Sequence, residues 1–225
     1  MNSLPYLMTL TALIVVTYLL GSVNSSIIIS KIIGTDIRDH GSGNAGATNM
    51  LRTYGKKIGV FTLLCDALKG VIAVGLAMIA ESMPFLSGNI TPNMSSLLRC
   101  LCALFVVLGH NYPIFFQFKG GKGIATSAAT IFMLDWRVGL IVLFGALLVM
   151  VLTRYVSLGS IVGALLFPTF SCVYTFLIDK DYDYILAVIS TIMCVLAIAR
   201  HSANISRLIK GTESKFGQKK GERIV

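Results

Sequence analysis

The chain has 225 residues, of which 55% are hydrophobic and 13% are charged, and its mean hydropathy is +0.80. Soluble domains carry roughly 25% charged residues, so this composition excludes a soluble domain and indicates an integral membrane protein. The formal net charge of +9 favours contact with anionic lipid headgroups and phosphorylated metabolites, and we expect no nucleic acid partner.

Seven apolar runs follow one another and predict an all-α bundle of about seven transmembrane helices. They cover approximately residues 10–33, 58–80, 97–118, 124–134, 138–152, 158–178 and 184–199. The runs from Ile124 and Val138 are shorter than the ~20 residues that cross a bilayer upright, so we expect some short or broken spans. We interpret residues 1–225 as a single polytopic membrane domain with a basic cytosolic tail at 200–225, and the first run as a retained span.

Lysine and arginine are distributed unequally between the loops, and this predicts the orientation in the membrane. Fifteen lie in residues 31–57, 119–122, 154 and 200–223, whereas three lie in the loops between the other helix ends, namely Arg99, Arg137 and Lys180. The N-terminus is therefore predicted outside and the C-terminus in the cytosol. Every polar, glycine-rich segment then lies on the cytosolic side.

The segment GSGNAG at residues 41–46 matches the glycine pattern of dinucleotide-binding loops. That pattern requires a preceding strand of a βαβ unit, whereas a predicted span and a short link precede it here, so we reject a dinucleotide site. The glycines instead allow a tight turn whose N–H groups face an anion. Polar side chains follow closely: Ser42, Asn44, Thr48, Asn49 and Arg52. We favour an anion site, and a flexible linker is the alternative.

The segment FKGGKG at residues 118–123 carries two lysines separated by two glycines, and both side chains can bend toward one phosphate. A helix predicted from Ile124 adds partial positive charge at its N-terminus. The segment is not a Walker loop, because Gly123 follows the second lysine in place of serine or threonine. We favour a functional site over a simple positive anchor at the membrane surface.

Two further polar positions adjoin the last spans. Ser157 lies just before the span predicted from Leu158, and it is interpreted either as a helix cap or as an anion ligand. His201, Asn204 and Arg207 are spaced three apart, so they share one face if the last helix continues. We favour a ligand site there over a histidine that only stabilises a helix end.

Three ionisable side chains lie inside the predicted spans. Asp66 and Lys69 are three residues apart, which predicts a structural ion pair. We interpret His110 as a packed core residue, with a role in orienting a loop as the alternative. The five cysteines lie in or beside apolar runs without metal-type spacing, so we expect packing roles for them and no metal or cofactor.

Four ordered segments carry a resemblance to a known family. They are GTDIRDHGSGNAGATNMLR, GHNYPIFFQFKGGKGIAT, RYVSLGS and RHSANISRLIKGTE. Together they resemble the bacterial acyl-phosphate-dependent glycerol-3-phosphate acyltransferases, the PlsY family, from about Gly21 to Lys215. Two departures are visible: Asn24 stands where the family usually has proline, and the outer loop from Asp179 to Asp183 is unusually acidic.

The resemblance implies transfer of a fatty acyl group from acyl phosphate to the 1-hydroxyl of sn-glycerol 3-phosphate. The products are lysophosphatidic acid and inorganic phosphate, in the first step of phospholipid synthesis at the bacterial cytoplasmic (inner) membrane. A functional link to an enzyme that produces acyl phosphate follows. Because the donor is already activated, we expect no covalent intermediate and hypothesise that its own phosphate accepts the hydroxyl proton. A membrane transporter or channel for a phosphorylated metabolite is the alternative.

The resemblance also implies roles for individual residues. It assigns the phosphate of glycerol 3-phosphate to Arg52, Lys122, Ser157 and His201, the acyl phosphate to Ser42, Asn44, Asn204 and Lys122, and the ordering of the tail to Glu213. Whether His201 is a base or a phosphate ligand stays open. The candidate catalytic residues are Ser42, Arg52, Lys122, His201 and Asn204. The candidate substrate-binding residues are Ser42, Asn44, Gly46, Thr48, Asn49, Arg52, Lys119, Gly120, Gly121, Lys122, Gly123, Ser157, His201, Asn204 and Glu213.

Overall fold

A computed structural model describes residues 4–88, 90–179 and 183–217, and in this part of the chain every regular element is a helix. The α-helices are α1 (Leu4–Ser22), α2 (Ser25–Ile32), α3 (Ala47–Tyr54), α4 (Lys56–Glu81), α5 (Pro84–Ser87), α6 (Pro92–Asn111), α7 (Ile124–Leu134), α8 (Trp136–Thr153), α9 (Val156–Cys172), α10 (Tyr184–Arg200) and α11 (Ser202–Ile209). Residues 218–225 of the predicted tail and 180–182 of the acidic loop lie outside the described residues. The predicted all-helical membrane architecture is confirmed.

Five stretches are long and apolar enough to cross a membrane: Leu4–Ile32, Lys56–Glu81, Pro92–Phe116, Trp136–Thr153 and Val156–Ile178. A sixth candidate joins α10 and α11, which meet at a bend of 58°. With α7, these segments coincide with the seven predicted apolar runs. The run from Val138 was expected to be short, but it belongs to an 18-residue helix of sufficient length. The number of membrane crossings and the orientation of the termini remain predictions.

Glycines bring the backbones of α1 and α6 into contact. A Cβ atom at Gly21 would lie 2.1 Å from the Val106 carbonyl oxygen, and one at Gly109 would lie 2.1 Å from the Tyr18 carbonyl oxygen. Close backbone approach of this kind is the usual role of small residues between membrane helices. The helices α1 and α6 therefore pack closely against each other as one side of the bundle.

A buried polar cluster joins this side of the bundle to α4. Lys69 Nζ lies 3.1 Å from Asp66 Oδ1, so the predicted ion pair is present, and it also lies 2.7 Å from His110 Nδ1. The ammonium donates in addition to the carbonyl oxygens of Gly21 and Val23, each at 3.3 Å. His110 is 3% exposed, as a packed core residue should be. Each buried charge thus has partners, which is the condition for a stable position in lipid.

The short helix α7 begins inside the bundle and not at its end. Thr126 donates its hydroxyl to the Asp66 carbonyl oxygen at 2.9 Å, and a Cβ atom at Gly70 would lie 2.7 Å from the Thr126 carbonyl oxygen. Asp66 is ten residues beyond the start of α4, or about 15 Å along its axis. The loop before α7 therefore enters the bundle, and the N-terminus of α7 opens within it.

Candidate active site

The polar segments singled out in the sequence meet at one end of the bundle, called the basic end below. It comprises residues 34–46 with α3, residues 117–123, the turn at residues 154–155, and residues 200–217. Hydrogen bonds and close contacts between these segments converge on Glu213, Asn204 and Lys122. Their geometry determines which of the predicted site residues come together.

Glu213 is 6% exposed and accepts hydrogen bonds from three side chains on two helices. Its Oε1 accepts from Ser157 Oγ at 2.7 Å and from Asn204 Nδ2 at 2.6 Å, and its Oε2 accepts from Arg207 Nε at 2.7 Å. Burial alone would raise the pKa of Glu213, but these hydrogen bonds outweigh burial and lower the pKa below its usual value. The ionised carboxylate joins α9, α11 and the segment that follows Gly211.

Lys122 reaches the same cluster through an amide. Its Nζ donates to Asn204 Oδ1, and among the described residues no direct ion pair joins Lys122 to Glu213. Burial lowers the pKa of Lys122 to about 8, and Glu213 opposes this shift. Three guanidinium groups lower the pKa further: Arg207, Arg200 and Arg52. This excess of positive charge is what an added phosphate dianion would neutralise.

The last helix does not continue straight, so the condition under which His201, Asn204 and Arg207 would share one continuous helix face is not met. α10 ends at Arg200, and the chain turns by 58° at His201 before α11 begins. Asn204 and Arg207 still share a face of α11, and both contact Glu213. The bend places His201 at the junction, where it is 2% exposed.

The bend also determines which ring nitrogen of His201 is available. His201 Nδ1 lies 2.7 Å from the Ala197 carbonyl oxygen, which can only accept, so Nδ1 carries a proton. Within the described chain, Nε2 has no hydrogen-bond partner. The imidazole therefore offers Nε2 to a ligand, as an acceptor when neutral and as a donor when protonated.

Ser157 does not cap α9, and that interpretation is corrected. The helix begins at Val156 with Tyr155 at the capping position, so Ser157 is the second helical residue. Its hydroxyl donates to Glu213 instead. Ser157 is therefore a buried member of the Glu213 cluster and links α9 to the segment that follows Gly211.

The GSGNAG loop is organised by Asn49 from inside. Its Oδ1 accepts from Ser42 N at 2.9 Å, and its Nδ2 donates to the carbonyl oxygens of Ile37, His40 and Asn44 at 3.2, 2.9 and 3.1 Å. Both polar atoms of Asn49 are thereby occupied, and Asn49 shapes the loop without a free group for substrate. Gly41 and Gly43 have positive φ values of 60° and 71°, which glycine adopts without strain.

The other candidates of this loop differ in their surroundings. Ser42 is exposed, whereas Asn44, Gly46 and Thr48 are half-buried around the start of α3. Arg52 Nη2 donates to the Ser214 carbonyl oxygen at 3.2 Å, which brings its guanidinium to the tail segment beside Glu213. Ser42, Asn44 and Thr48 are thus more accessible than the buried Asn49.

The FKGGKG loop lies against the GSGNAG loop. A Cβ atom at Gly121 would lie 2.4 Å from the Ala45 carbonyl oxygen and 2.2 Å from His110 Nε2, so only glycine fits between them. Gly123 adopts a left-handed φ of 75° where α7 starts. Lys119 is exposed, and the structure does not join its side chain to the Glu213 cluster. Of the two lysines, Lys122 alone contacts the other predicted site residues.

Sequence reasoning missed Arg200 as a functional candidate. Its guanidinium donates to the carbonyl oxygens of Gly120 and Gly121 and so contacts the loop that carries Lys122. Its position directly before His201 in a polar segment was the available signal. Long-range contact with a loop about 80 residues away could not be deduced from spacing within that segment.

An apolar cavity of about 120 Å³ lies beside the polar cluster, between α7, α8, α9 and α10. Its lining includes Ser160, one turn after Ser157, and Ala197, whose carbonyl oxygen contacts His201. Further from the cluster it is lined by Gly139, Gly163 and Phe167. The polar site thus borders a space suited to an aliphatic chain.

Comparison with known proteins shows the family to which this chain belongs. A family model described as glycerol-3-phosphate acyltransferase matches residues 11–211. The chain is 44% identical to the glycerol-3-phosphate acyltransferase of Clostridioides difficile (strain 630), over 92% of this chain and 95% of that protein. It is 41% identical to the enzyme of Vibrio cholerae (strain ATCC 39541 / Classical Ogawa 395 / O395), over 92% of this chain and 91% of that protein.

Solved structures agree. The chain is similar to crystal structures of PlsY (YgiH), an integral membrane glycerol 3-phosphate acyltransferase, in two forms. With the glycerol 3-phosphate form the TM-score is 0.77 at 38% identity, covering 92% of this chain and 96% of the other. With the lysophosphatidic acid form it is 0.73 at 37% identity, covering 92% and 95%.

Proposed function

The chain belongs to the glycerol-3-phosphate acyltransferase family and acylates glycerol 3-phosphate to lysophosphatidic acid, and we propose that its acyl donor is an acyl phosphate. The observation that carries the proposal is the surplus of positive charge around Lys122, with Arg52, Arg200 and Arg207 nearby and Glu213 as the neighbouring carboxylate. Two phosphate groups, one from each substrate, would balance such a site. The family assignment replaces the alternative of a transporter.

The acceptor phosphate binds, in this proposal, to Lys122, Arg52 and His201. Lys122 and Arg52 both reach the segment around Glu213 from different loops. His201 adds Nε2, the ring nitrogen that has no partner among the described residues. Ser157 joins the set by turning its single hydroxyl hydrogen from Glu213 to the phosphate. Two cationic groups, with the imidazole and the hydroxyl beside them, converge on one anion and give both affinity and orientation.

The donor phosphate occupies the neighbouring loop, in contact with Ser42, Asn44 and Asn204. In the GSGNAG loop, whose conformation Asn49 fixes, Ser42 is exposed and Asn44 is half-buried. The start of α7 contributes the partial positive charge of a helix N-terminus. The two phosphates then lie on opposite sides of Lys122, which offsets their mutual repulsion.

The fatty chain of the donor extends from this site into the apolar cavity between α7, α8, α9 and α10. The cavity lining includes Ile124 at the start of α7, where the donor phosphate is placed in this proposal, so the acyl chain of the donor extends directly into the cavity. An apolar lining is what a saturated chain requires, because each buried methylene group contributes about 0.8 kcal/mol. A soluble donor with a short acyl group would leave this space unfilled.

The reaction needs no covalent intermediate. The 1-hydroxyl oxygen attacks the carbonyl carbon of the acyl phosphate, the bond between that carbon and the phosphate oxygen breaks, and inorganic phosphate leaves. The hydroxyl proton passes to the departing phosphate, which is basic and adjacent. The protein supplies alignment and charge compensation, with Lys122 nearest to both phosphates.

The basic end faces the cytosol of a bacterial cell, at the cytoplasmic (inner) membrane. The sequence assigns fifteen of the lysines and arginines to the segments predicted on this side of the membrane, as the positive-inside rule requires of a cytosolic face. Glycerol 3-phosphate then enters from the cytosol and the donor from the lipid. An enzyme that makes acyl phosphate is the required supplier of the donor.

The test measures product from purified protein in lipid vesicles supplied with palmitoyl phosphate, with and without glycerol 3-phosphate. We expect lysophosphatidic acid and inorganic phosphate in equal amounts only when both substrates are present. Lys122→Ala should lose nearly all activity, whereas the matched Lys119→Ala variant in the same loop should keep most of it. Product from palmitoyl-coenzyme A but not from palmitoyl phosphate would overturn the assignment of the donor.

A further inference from the structure

Arg200 holds two successive peptide groups of the FKGGKG loop. Its Nη2 donates to the carbonyl oxygens of Gly120 at 3.0 Å and of Gly121 at 2.9 Å, and its Nε donates to Gly121 at 3.1 Å. The guanidinium also lies 5.2 Å from the ring centroid of Tyr112, within the range of a cation–π contact. The Nε and Nη2 donors of one planar guanidinium group are thus both used.

The N–H groups of the same two glycines are held from the opposite side. Gly120 N donates to the Asn111 carbonyl oxygen at 3.3 Å, and Gly121 N donates to the His110 carbonyl oxygen at 3.1 Å. Both glycines therefore have their polar backbone atoms engaged within the protein. Their role is to define the path of the loop and not to bind a ligand directly.

The next two residues are different. In the described part of the chain, the N–H groups of Lys122 and Gly123 donate to no protein acceptor. They lie where α7 begins, and the ammonium of Lys122 belongs to the Glu213 cluster. The loop thus consists of an anchored half, Gly120–Gly121, and a half with available donors, Lys122–Gly123.

We propose that Arg200 is a positioning residue for the phosphate of glycerol 3-phosphate. It anchors Gly120 and Gly121 so that Lys122 and the N–H groups at the start of α7 stay in the position that binds the phosphate. Because Arg200 directly precedes His201, it also fastens this loop to the bend that carries the histidine. The inference rests on the proposed function of the site.

The chemistry of the contact requires arginine. A guanidinium donates from several nitrogens in a fixed plane and can hold two carbonyl groups together, whereas an ammonium is a compact point charge. The carbonyl oxygens of Gly120 and Gly121 would repel the oxygens of a phosphate. Their hydrogen bonds to Arg200 reduce this repulsion. Lysine at this position would retain the charge and lose the geometry.

The experiment compares Arg200→Lys and Arg200→Ala with wild type in the palmitoyl phosphate assay. The matched control is Arg154→Lys, because Arg154 Nη2 donates to the Phe216 carbonyl oxygen at 3.1 Å on the same end of the bundle without touching the loop. We expect both Arg200 variants to raise KM for glycerol 3-phosphate about tenfold or more, since displaced binding groups are costly. KM for palmitoyl phosphate should change much less, and the control should match wild type.

Chemical rescue provides a second readout that a merely structural role would not move. Methylguanidinium should lower the KM of Arg200→Ala for glycerol 3-phosphate and leave wild type and Arg154→Lys unchanged. If Arg200→Ala does not fold, the KM of Arg200→Lys for glycerol 3-phosphate tests the inference on its own. A folded Arg200→Lys protein with wild-type KM for glycerol 3-phosphate would overturn the role of Arg200 and leave the proposed function intact. Wild-type protein that makes no product would overturn the proposed function, and the role of Arg200 with it.

Discussion

Asn204 donates its amide hydrogen to Oε1 of Glu213 at 2.6 Å. The oxygen of the same amide accepts from Lys122. A neutral side chain therefore stands between the ammonium and the carboxylate, and it leaves the charge of Lys122 available for a substrate phosphate. This arrangement explains how a carboxylate can order an anion-binding site without neutralising it.

Substitution Asn204→Asp should abolish that separation. The new carboxylate would pair with Lys122 and repel Glu213, so we expect KM for glycerol 3-phosphate to rise at least about tenfold, or ~1.4 kcal/mol. Asn204→Ala removes the same hydrogen bonds without adding charge and serves as the control. The explanation requires the aspartate variant to bind glycerol 3-phosphate more weakly than the alanine variant, and equal KM values would contradict it.

The affinity for glycerol 3-phosphate should fall as the pH rises through about 8. Burial lowers the pKa of Lys122 to about 8, so the ammonium that attracts phosphate is lost above this pH. KM should be flat just below pH 8 and then rise by up to about tenfold per pH unit. Lys122→Arg keeps a charge that does not titrate, so its KM should stay flat. The same rise in both proteins would show that another group is responsible.

His201→Ala should act on binding. Because the donor phosphate accepts the proton in the proposed mechanism, we expect a higher KM for glycerol 3-phosphate with a smaller change in kcat. His201→Gln places a polar amide near the position of Nε2 but no base, so it should recover part of the binding. A loss of about 10²–10⁴ in kcat for both variants at unchanged KM would instead identify a general base.

Glu213→Gln should destabilise the protein. The amide oxygen can still accept from Ser157 and Asn204, but the amide nitrogen cannot accept the hydrogen bond that Arg207 donates to Oε2 at 2.7 Å. We expect a loss of ~1–3 kcal/mol, measured as a lower midpoint of thermal unfolding in detergent. Asp39→Asn, at an exposed carboxylate on the same end, should leave the midpoint unchanged. Equal midpoints for both variants would contradict the role assigned to Glu213.

The sequence was sufficient for the helices and for local pairs, because lipid and helix geometry impose strict patterns. The apolar runs coincide with helices, and Asp66 and Lys69 pair across one turn of α4. It was insufficient where contacts join distant segments. Ser157 looked like a helix cap because its partner Glu213 is 56 residues away, and the bend at His201 depends on packing that spacing does not encode.

Asn24 departs from the family pattern at the break between α1 and α2. It stands where the family that the sequence resembles usually has proline, and its Oδ1 caps α2 by accepting from Ile27 N at 3.1 Å. Its Nδ2 is buried without a partner among the described residues. Asparagine at a helix start and proline both suit a chain that leaves one helix and begins another. The break between α1 and α2 is thus compatible with either residue.

The start of α7, about 15 Å inside the bundle by helix rise, bears on the fidelity of the reaction. An activated acyl group is open to attack by water as well as by the glycerol hydroxyl, and hydrolysis would waste it. A donor whose reacting carbon lies at that depth, with its chain in an apolar cavity, meets few water molecules until the second substrate fills the entrance. In the proposed mechanism, the depth at which α7 begins would therefore protect the donor from hydrolysis.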